Sequence, residues 1–244
     1  MFLTTFLVSF SAAIALAAPT TDGFGEIELF KRDAVLDTRD LEHAELHGVN
    51  LTEMYKHSVL KRDDGDHITI WVDNSYASIE GPLEEAVNVS KRQSARLAGN
   101  SNYYYTGESN CRKHDMRFLT GKQSPFSGGA LALARWGENH KGRWVFTNNN
   151  TWKTLAIGGS NAGHNAQYRA DNLEKVYGAD TSVGTYDMGY NARHTYDEYR
   201  REMEKGVWRA AGYGWMTFKG MIGVNMWYYD FPFNWELITS TATV

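Results

Sequence analysis

The sequence predicts an α+β fold in which an antiparallel β-meander sheet packs with about two α-helices, preceded by a signal peptide and a largely irregular pro-segment. Three observations lead to this expectation. Short β-type runs alternate with turn-forming residues between 130 and 157. Two later stretches repeat apolar residues with helical spacing. The first 92 residues differ from the rest in charge and contain only one of the eight tryptophans.

The chain begins with an uncharged apolar run over residues 2–18, which contains Ala15-Leu16-Ala17 near its end and is followed by Pro19. This run is shorter than the ~20 residues that a membrane-spanning helix needs, and its small residues suit a signal peptidase. We therefore expect a signal peptide over residues 1–17 and a secreted, extracellular protein without a membrane anchor. Asn-X-Ser/Thr sequons predict glycosylation at Asn50, Asn88 and Asn149.

Charge divides the chain near residue 92. Residues 1–92 contain eight Lys and Arg against 16 Asp and Glu, a net charge of −8, whereas residues 93–244 contain 17 against 13, a net charge of +4. A protease pocket with acidic walls recognises two adjacent cations well. We therefore predict an acidic pro-segment over 18–92 and a mature domain over 93–244. Lys-Arg pairs stand 30 residues apart at Lys31–Arg32, Lys61–Arg62 and Lys91–Arg92, and nowhere else.

This layout resembles that of fungal small secreted preproproteins, effector-like or killer-toxin-like, whose Lys-Arg sites are cut by kexin-type proteases. The resemblance implies two partners: a kexin-type processing protease, and an unidentified extracellular target that is either a carbohydrate or a host protein. A secreted binding or toxin-like protein is the first functional hypothesis. A precursor of peptides released as 33–60 and 63–90 is another. Basic residues are scattered, which argues against a nucleic-acid partner, and no motif indicates a metal or another cofactor.

Two pieces of the pro-segment have different patterns. Residues 33–60 spread leucines among charges and read as helical. Residues 67–72, "HITIWV", alternate Ile68, Ile70 and Val72, which is typical of a strand. That strand could pair with the mature domain. The pro-segment would then be either a folding aid or a permanent part of the fold.

Trp136, Trp144 and Trp152 are spaced by eight residues. If "ALALARW", "RWVFT" and "TWKTLAI" are three strands, turns near His140 and Asn148 place the three indoles side by side on one face of a meander. Two interpretations follow. The indoles are either core, because aromatic side chains bury large areas, or an exposed aromatic binding face for sugar rings.

The remaining elements follow the meander. Ala166, Ala170, Leu173 and Tyr177 share a helical face, and Gly178 suits the position after its end. A second helix is predicted from Thr195, as its N-cap, to a stop at Gly212. The glycine-punctuated aromatic stretch over 213–231 predicts one or two strands that close the sheet.

"LAIGGSNAG" offers a candidate nucleophile. A strand, then Gly158-Gly159-Ser160-Asn161-Ala162, then a predicted helix resembles the nucleophile elbow of the α/β-hydrolase family. The resemblance implies a catalytic Ser160, with Asp187 and His194 following in the family's order. The alternative interpretation is a glycine-rich turn whose Ser160 or Asn161 caps a helix. A small secreted serine hydrolase is therefore a further hypothesis.

Cys111 is the single cysteine, so no intrachain disulfide can form. In a secreted protein a lone cysteine is a buried or reactive thiol, or bridges two chains as a Cys111-linked homodimer. His114 lies three residues on and could pair with the thiol. Arg112 and Lys113 would lower its pKa.

Overall fold

The protein is described from a computed structural model that defines residues 24–63, 65–78, 111–147, 152–160, 165–172, 180–222 and 227–240. The fold is α+β, as the sequence predicts, and the described residues form three helices rather than two. The predicted signal peptide, the glycosylation sites Asn88 and Asn149, and the Lys91–Arg92 pair lie outside the described residues. None of the described helices is long and apolar enough to cross a bilayer.

One large sheet organises the chain. Its strands are β1 (Phe24–Leu29), β2 (Met54–Arg62), β3 (His67–Asp73), β5 (Cys111–Phe118), β7 (Lys153–Gly159), β8 (Asn165–Asn172), β12 (Gly212–Ile222) and β13 (Trp227–Thr239). They are ordered β1-β2-β3-β7-β8-β13-β12-β5, and every neighbouring pair is antiparallel. The predicted closing strands over 213–231 are confirmed as the long β12–β13 hairpin.

The described part of the predicted pro-segment is ordered secondary structure. It supplies β1, β2, β3, a short strand β4 (Tyr76–Ser78) and helix α1 (Thr38–Leu46). The expectation of a largely irregular segment is therefore wrong for residues 24–78. The run 67–72 is a strand, as predicted, and β3 pairs directly with β7, with Trp71 opposite Ile157.

The two faces of the large sheet are covered differently. Helices α2 (Ser127–Asn139) and α3 (Thr185–Tyr199) pack on its inner face with a three-stranded sheet of β4, β6 (Gly142–Thr147) and β9 (Asp180–Gly184). Helix α1 packs on the opposite, outer face, against Met54 of β2, Trp71 of β3 and Ile157 of β7. Side chains on the inner face form one apolar core with α2 and α3. The outer-face side chains are not part of this core.

The close approach of α2 and α3 depends on two glycines. A Cβ on Gly137 would lie 2.6 Å from the Thr185 carbonyl oxygen and 2.9 Å from Gly189 Cα. Side chains at either position would push the helices apart, so the small residues set the distance between them.

The tryptophan meander is wrong. "ALALARW" lies in helix α2, because alanine and leucine are the strongest helix formers and outweigh the period-two reading. Trp144 lies in β6 of the small sheet, and Trp152 precedes β7 of the large one. The Trp136 and Trp144 rings nevertheless meet in the core, 5.9 Å apart and fully buried. For this pair the core interpretation holds.

Two predicted helices are also wrong where the structure describes them; Leu173, Tyr177 and Gly178 of the first lie outside the described residues. Ala166, Tyr168 and Ala170 alternate as the buried residues of strand β8. The second helix is predicted from Thr195 to Gly212. Helix α3 instead covers Thr185–Tyr199 and ends in the middle of that range. Strands β10 (Arg201–Glu204) and β11 (Val207–Arg209) follow as a hairpin with Gly206 at φ +78°. The Lys205-Gly206 turn, which needs a positive φ, therefore favours a hairpin over the helix that the apolar spacing predicts.

Candidate functional site

The outer face is where the fold leaves large side chains in solvent. Helix α1 covers one half through Ala44, which packs with Met54, Trp71 and Ile157. No described helix covers the other half, formed by β8, β13, β12 and β5. Along β12 the period of two buries Met216 inside and turns Trp215 outward. Surface chemistry on this half is therefore set by alternate residues of four adjacent strands.

Strand register aligns the outward side chains in two rows. Neighbouring strands are ~4.8 Å apart, and successive rows are about 7 Å apart along each strand. We call these rows, together with Trp152, the outer patch. The first row is Arg117, Tyr213, Glu236 and Arg169, and the second is Asp115, Trp215, Asn234 and Asp171.

Three aromatic side chains of the outer patch are partly exposed. Tyr213 is 36 % exposed, Trp215 37 % and Trp152 39 %. The Arg169 guanidinium lies 4.8 Å from the Trp152 ring centre. A surface that combines aromatic rings with charged groups at fixed spacing is a typical recognition surface.

Ion pairs hold the charged groups of the outer patch in place. Arg169 donates from Nε at 2.8 Å and from Nη2 at 2.6 Å to the same oxygen of Glu236. Arg117 Nε lies 3.1 Å from Asp115 Oδ2. Asp115 and the Tyr213 hydroxyl raise the pKa of the Arg117 guanidinium. Such exposed pairs add little stability, but they position carboxylate oxygens and guanidinium N–H groups beside the aromatic rings.

Asp171 contributes a partly buried carboxylate to the second row. Its Oδ1 atom is shielded from solvent and has no hydrogen-bond partner among the described residues. Burial raises the pKa of this carboxyl group. A buried acceptor without a donor is unfavourable, and the raised pKa has the same physical cause, the removal of the carboxyl group from water.

The predicted serine triad is not assembled. Ser160 is fully buried, and the next described element after it is strand β8, not the helix that a nucleophile elbow requires. Asp187 accepts hydrogen bonds from the backbone N–H of Gly184 at the start of α3 and of Cys111. His194 stands seven positions further along α3, about 10 Å along the axis, where its ring packs on Tyr199. Asp187 therefore has a structural role in the described fold.

Cys111 is a free, half-buried thiol. Burial raises its pKa, and Asp187 raises it further, so the predicted lowering by the neighbouring cations is wrong. His114 contacts Asn191 instead, with its Nδ1 2.7 Å from Asn191 Oδ1. The Asn191 amide in turn donates to the Tyr168 hydroxyl at 2.8 Å. Whether Cys111 links two chains stays a prediction.

The processing and glycosylation sites that the structure describes lie in different surroundings. Arg32 follows β1, donates to the Tyr76 carbonyl at 2.7 Å and lies over the Tyr55 ring. Lys61 lies within β2, where it pairs on both sides, with β1 and with β3. Asn50 is exposed in the turn after α1, where a glycan would be accommodated.

Sequence reasoning missed most of the outer patch. It selected Trp152 but grouped it with Trp136 and Trp144, which are fully buried. The available signal was the alternation of glycine with aromatic residues in Gly212-Tyr213-Gly214-Trp215. Among the described residues no group of three or more His, Cys, Asp or Glu is placed to hold a metal ion.

Comparisons of this chain with protein-family models, with curated proteins and with solved structures give no match.

Proposed function

We propose that the protein is an extracellular binding protein whose outer patch recognises a carbohydrate. The observation that carries this proposal is the pair Tyr213 and Trp215, both more than one-third exposed, set among ion-paired carboxylates and guanidinium groups. A sugar ring has one face of C–H groups and a rim of hydroxyl groups. Aromatic rings match the first, and charged hydrogen-bonding groups match the second.

The chemistry of the outer patch favours a sugar over a protein partner. Protein interfaces have an apolar core that is depleted in charge. In contrast, charged side chains stand in both rows of the outer patch. On the described outer surface of β13, Pro232 and Ile238 are the aliphatic side chains, and they lie at either end of the segment that carries Asn234 and Glu236. No continuous aliphatic surface therefore connects the aromatic rings.

The charge balance favours a neutral carbohydrate. Arg117 and Arg169 are each paired with a carboxylate, and Asp171 adds one further negative charge. An anionic polysaccharide would meet no unpaired guanidinium group within the outer patch. Secretion, which this proposal includes, is supported by the apolar leader and by the exposed sequon at Asn50.

Replacing either exposed aromatic residue of β12 is expected to weaken binding. Trp215→Ala and Tyr213→Ala should each cost about 1–2 kcal/mol, a five- to thirty-fold loss of affinity, because each removes a stacking surface. Retention on insoluble glucan, mannan and chitin, compared with pectate and heparin, would identify the sugar class. Calorimetry with a soluble oligosaccharide of that class would then measure the affinity.

Trp208→Ala is the matched control. Trp208 is 45 % exposed and lies on the β10–β11 hairpin, so it belongs to neither row of the outer patch. It should therefore bind like the parent protein. The proposal fails if none of the neutral polysaccharides retains the protein, or if Trp208→Ala weakens binding as much as Trp215→Ala.

A further inference from the structure

Residues 24–78 complete the large sheet of this fold. They provide three of its eight strands, and β3 joins them to β7. Ile68, Ile70 and Val72 of β3 are fully buried in the core on the inner face, together with Leu133 of α2. This segment therefore shares one core with the residues that follow β4.

A second seam joins the same segment to the small sheet. Tyr76 of β4 stands opposite Trp144 of β6, and their ring centres lie 5.5 Å apart. His57 of β2 accepts a hydrogen bond from the indole N–H of Trp136 in α2 at 3.1 Å. Through the seams of β3 with β7 and of β4 with β6, residues 24–78 supply strands to both sheets.

The outer surface of the seam is closed as well. Trp71 and Ile157 stand opposite each other and are covered by α1. At one end of the seam Lys153 Nζ lies 2.9 Å from Asp73 Oδ1, and this carboxylate is almost fully buried. Removing residues 24–78 would uncover Ile157 and leave β7 as an unpaired apolar edge, which is unfavourable in water.

We propose that residues 24–78 are a permanent subunit of the folded protein, so that a chain cut between β4 and β5 stays together as a non-covalent two-chain complex. This inference does not depend on carbohydrate binding. It replaces the simple pro-segment, in which the first piece leaves after processing. It also gives the Lys61–Arg62 pair a structural role within β2. A protease that needs an extended chain cannot bind a strand that is paired on both sides.

The test is to cut the full-length chain at a defined point. A recognition sequence for a sequence-specific protease, inserted after Arg92, allows complete cleavage, which a denaturing gel verifies. Size-exclusion chromatography and native mass spectrometry without denaturant then show whether the two pieces remain together. We expect one particle with the mass of both pieces, which separates only in denaturant. Two separate species under native conditions would overturn the proposal.

A matched pair of substitutions in the first piece tests the seam itself. Val72→Asp places a carboxylate in the core beside β7, whereas Val35→Asp changes a valine that is 97 % exposed. After cleavage, Val72→Asp should lose most of the complex at dilutions at which Val35→Asp keeps it. Equal retention of the two variants would contradict the seam. If Val72→Asp does not fold before cleavage, the uncut-against-cut comparison of the parent chain still decides the proposal.

Discussion

Lowering the pH from about 7 to about 4 is expected to reduce the free energy of unfolding by several kcal/mol. Burial lowers the pKa of His57 to about 3, with a further contribution from His140. Burial lowers the pKa of His47 to about 4, with a further contribution from His43. Both groups titrate near 6.5 when unfolded, so the unfolded chain binds more protons at acidic pH.

The sign of this effect follows from the depressed pKa values. Stability is complete above about pH 6.5 and is lost as the pH falls toward the folded-state values. One unit of pKa shift corresponds to about 1.4 kcal/mol, so His47 and His57 contribute on the order of 3 and 5 kcal/mol when fully titrated. Burial also lowers the pKa of His43, which lies beside the Asp40–Lys56 ion pair, so variants are needed to separate the contributions of the individual histidines.

Urea unfolding at a series of pH values measures this dependence. His47→Gln removes one titrating group, and the slope of stability against pH should fall by up to one proton between about pH 6.5 and pH 4. His67→Gln is the matched control, because His67 is exposed on β3. A parent protein that is equally stable at both ends of the range would contradict the burial of neutral histidines. An equal change in pH dependence for His47→Gln and His67→Gln would also contradict it.

Trp136→Ala is expected to destabilise the fold by about 3–5 kcal/mol. Its indole is fully buried, contacts Trp144 and His140, and donates to His57. The substitution removes a large apolar surface and leaves the His57 acceptor without its donor. Chemical denaturation should show a much lower midpoint with little change in slope.

Trp208, the exposed tryptophan of the β10–β11 hairpin, is again the control. Trp208→Ala should change stability by well under ~1 kcal/mol, because its ring is not part of the core. The remaining folded Trp136→Ala protein should bind carbohydrate normally. If Trp136→Ala were as stable as Trp208→Ala but failed to bind, then Trp136 would belong to a binding face, as one interpretation of its sequence spacing had it.

Local patterns in the sequence predict the fold class and several strands. The alternation of Ile68, Ile70 and Val72 identifies β3, and the aromatic, glycine-punctuated stretch identifies the β12–β13 hairpin. The Ala-Leu run of α2 fails because a seven-residue apolar stretch fits either a strand or a buried helix. The helix predicted from Ala166 fails in its described part, residues 166–172, since alanines spaced by four also fit alternate positions of β8.

The candidate site was less accessible from the sequence than the fold. Whether Trp215 or Met216 faces solvent depends on which side of the sheet carries α2 and α3, and that is a tertiary property. The pairing of Arg169 with Glu236 joins strands far apart in sequence. Period-two alternation indicates that two faces exist, but only the arrangement of helices decides which face is exposed.

The most direct measurement of the central claim is nuclear magnetic resonance of the tryptophan indole N–H groups during titration with a soluble neutral oligosaccharide. Trp215 and Trp152 lie on the outer patch, whereas Trp71, Trp144 and Trp235 are fully buried. We predict saturable shifts of the Trp215 and Trp152 signals with little change in the three buried ones. Shifts confined to Trp208, or no shift of Trp215 under saturating sugar, would contradict the assignment of the outer patch as the binding site.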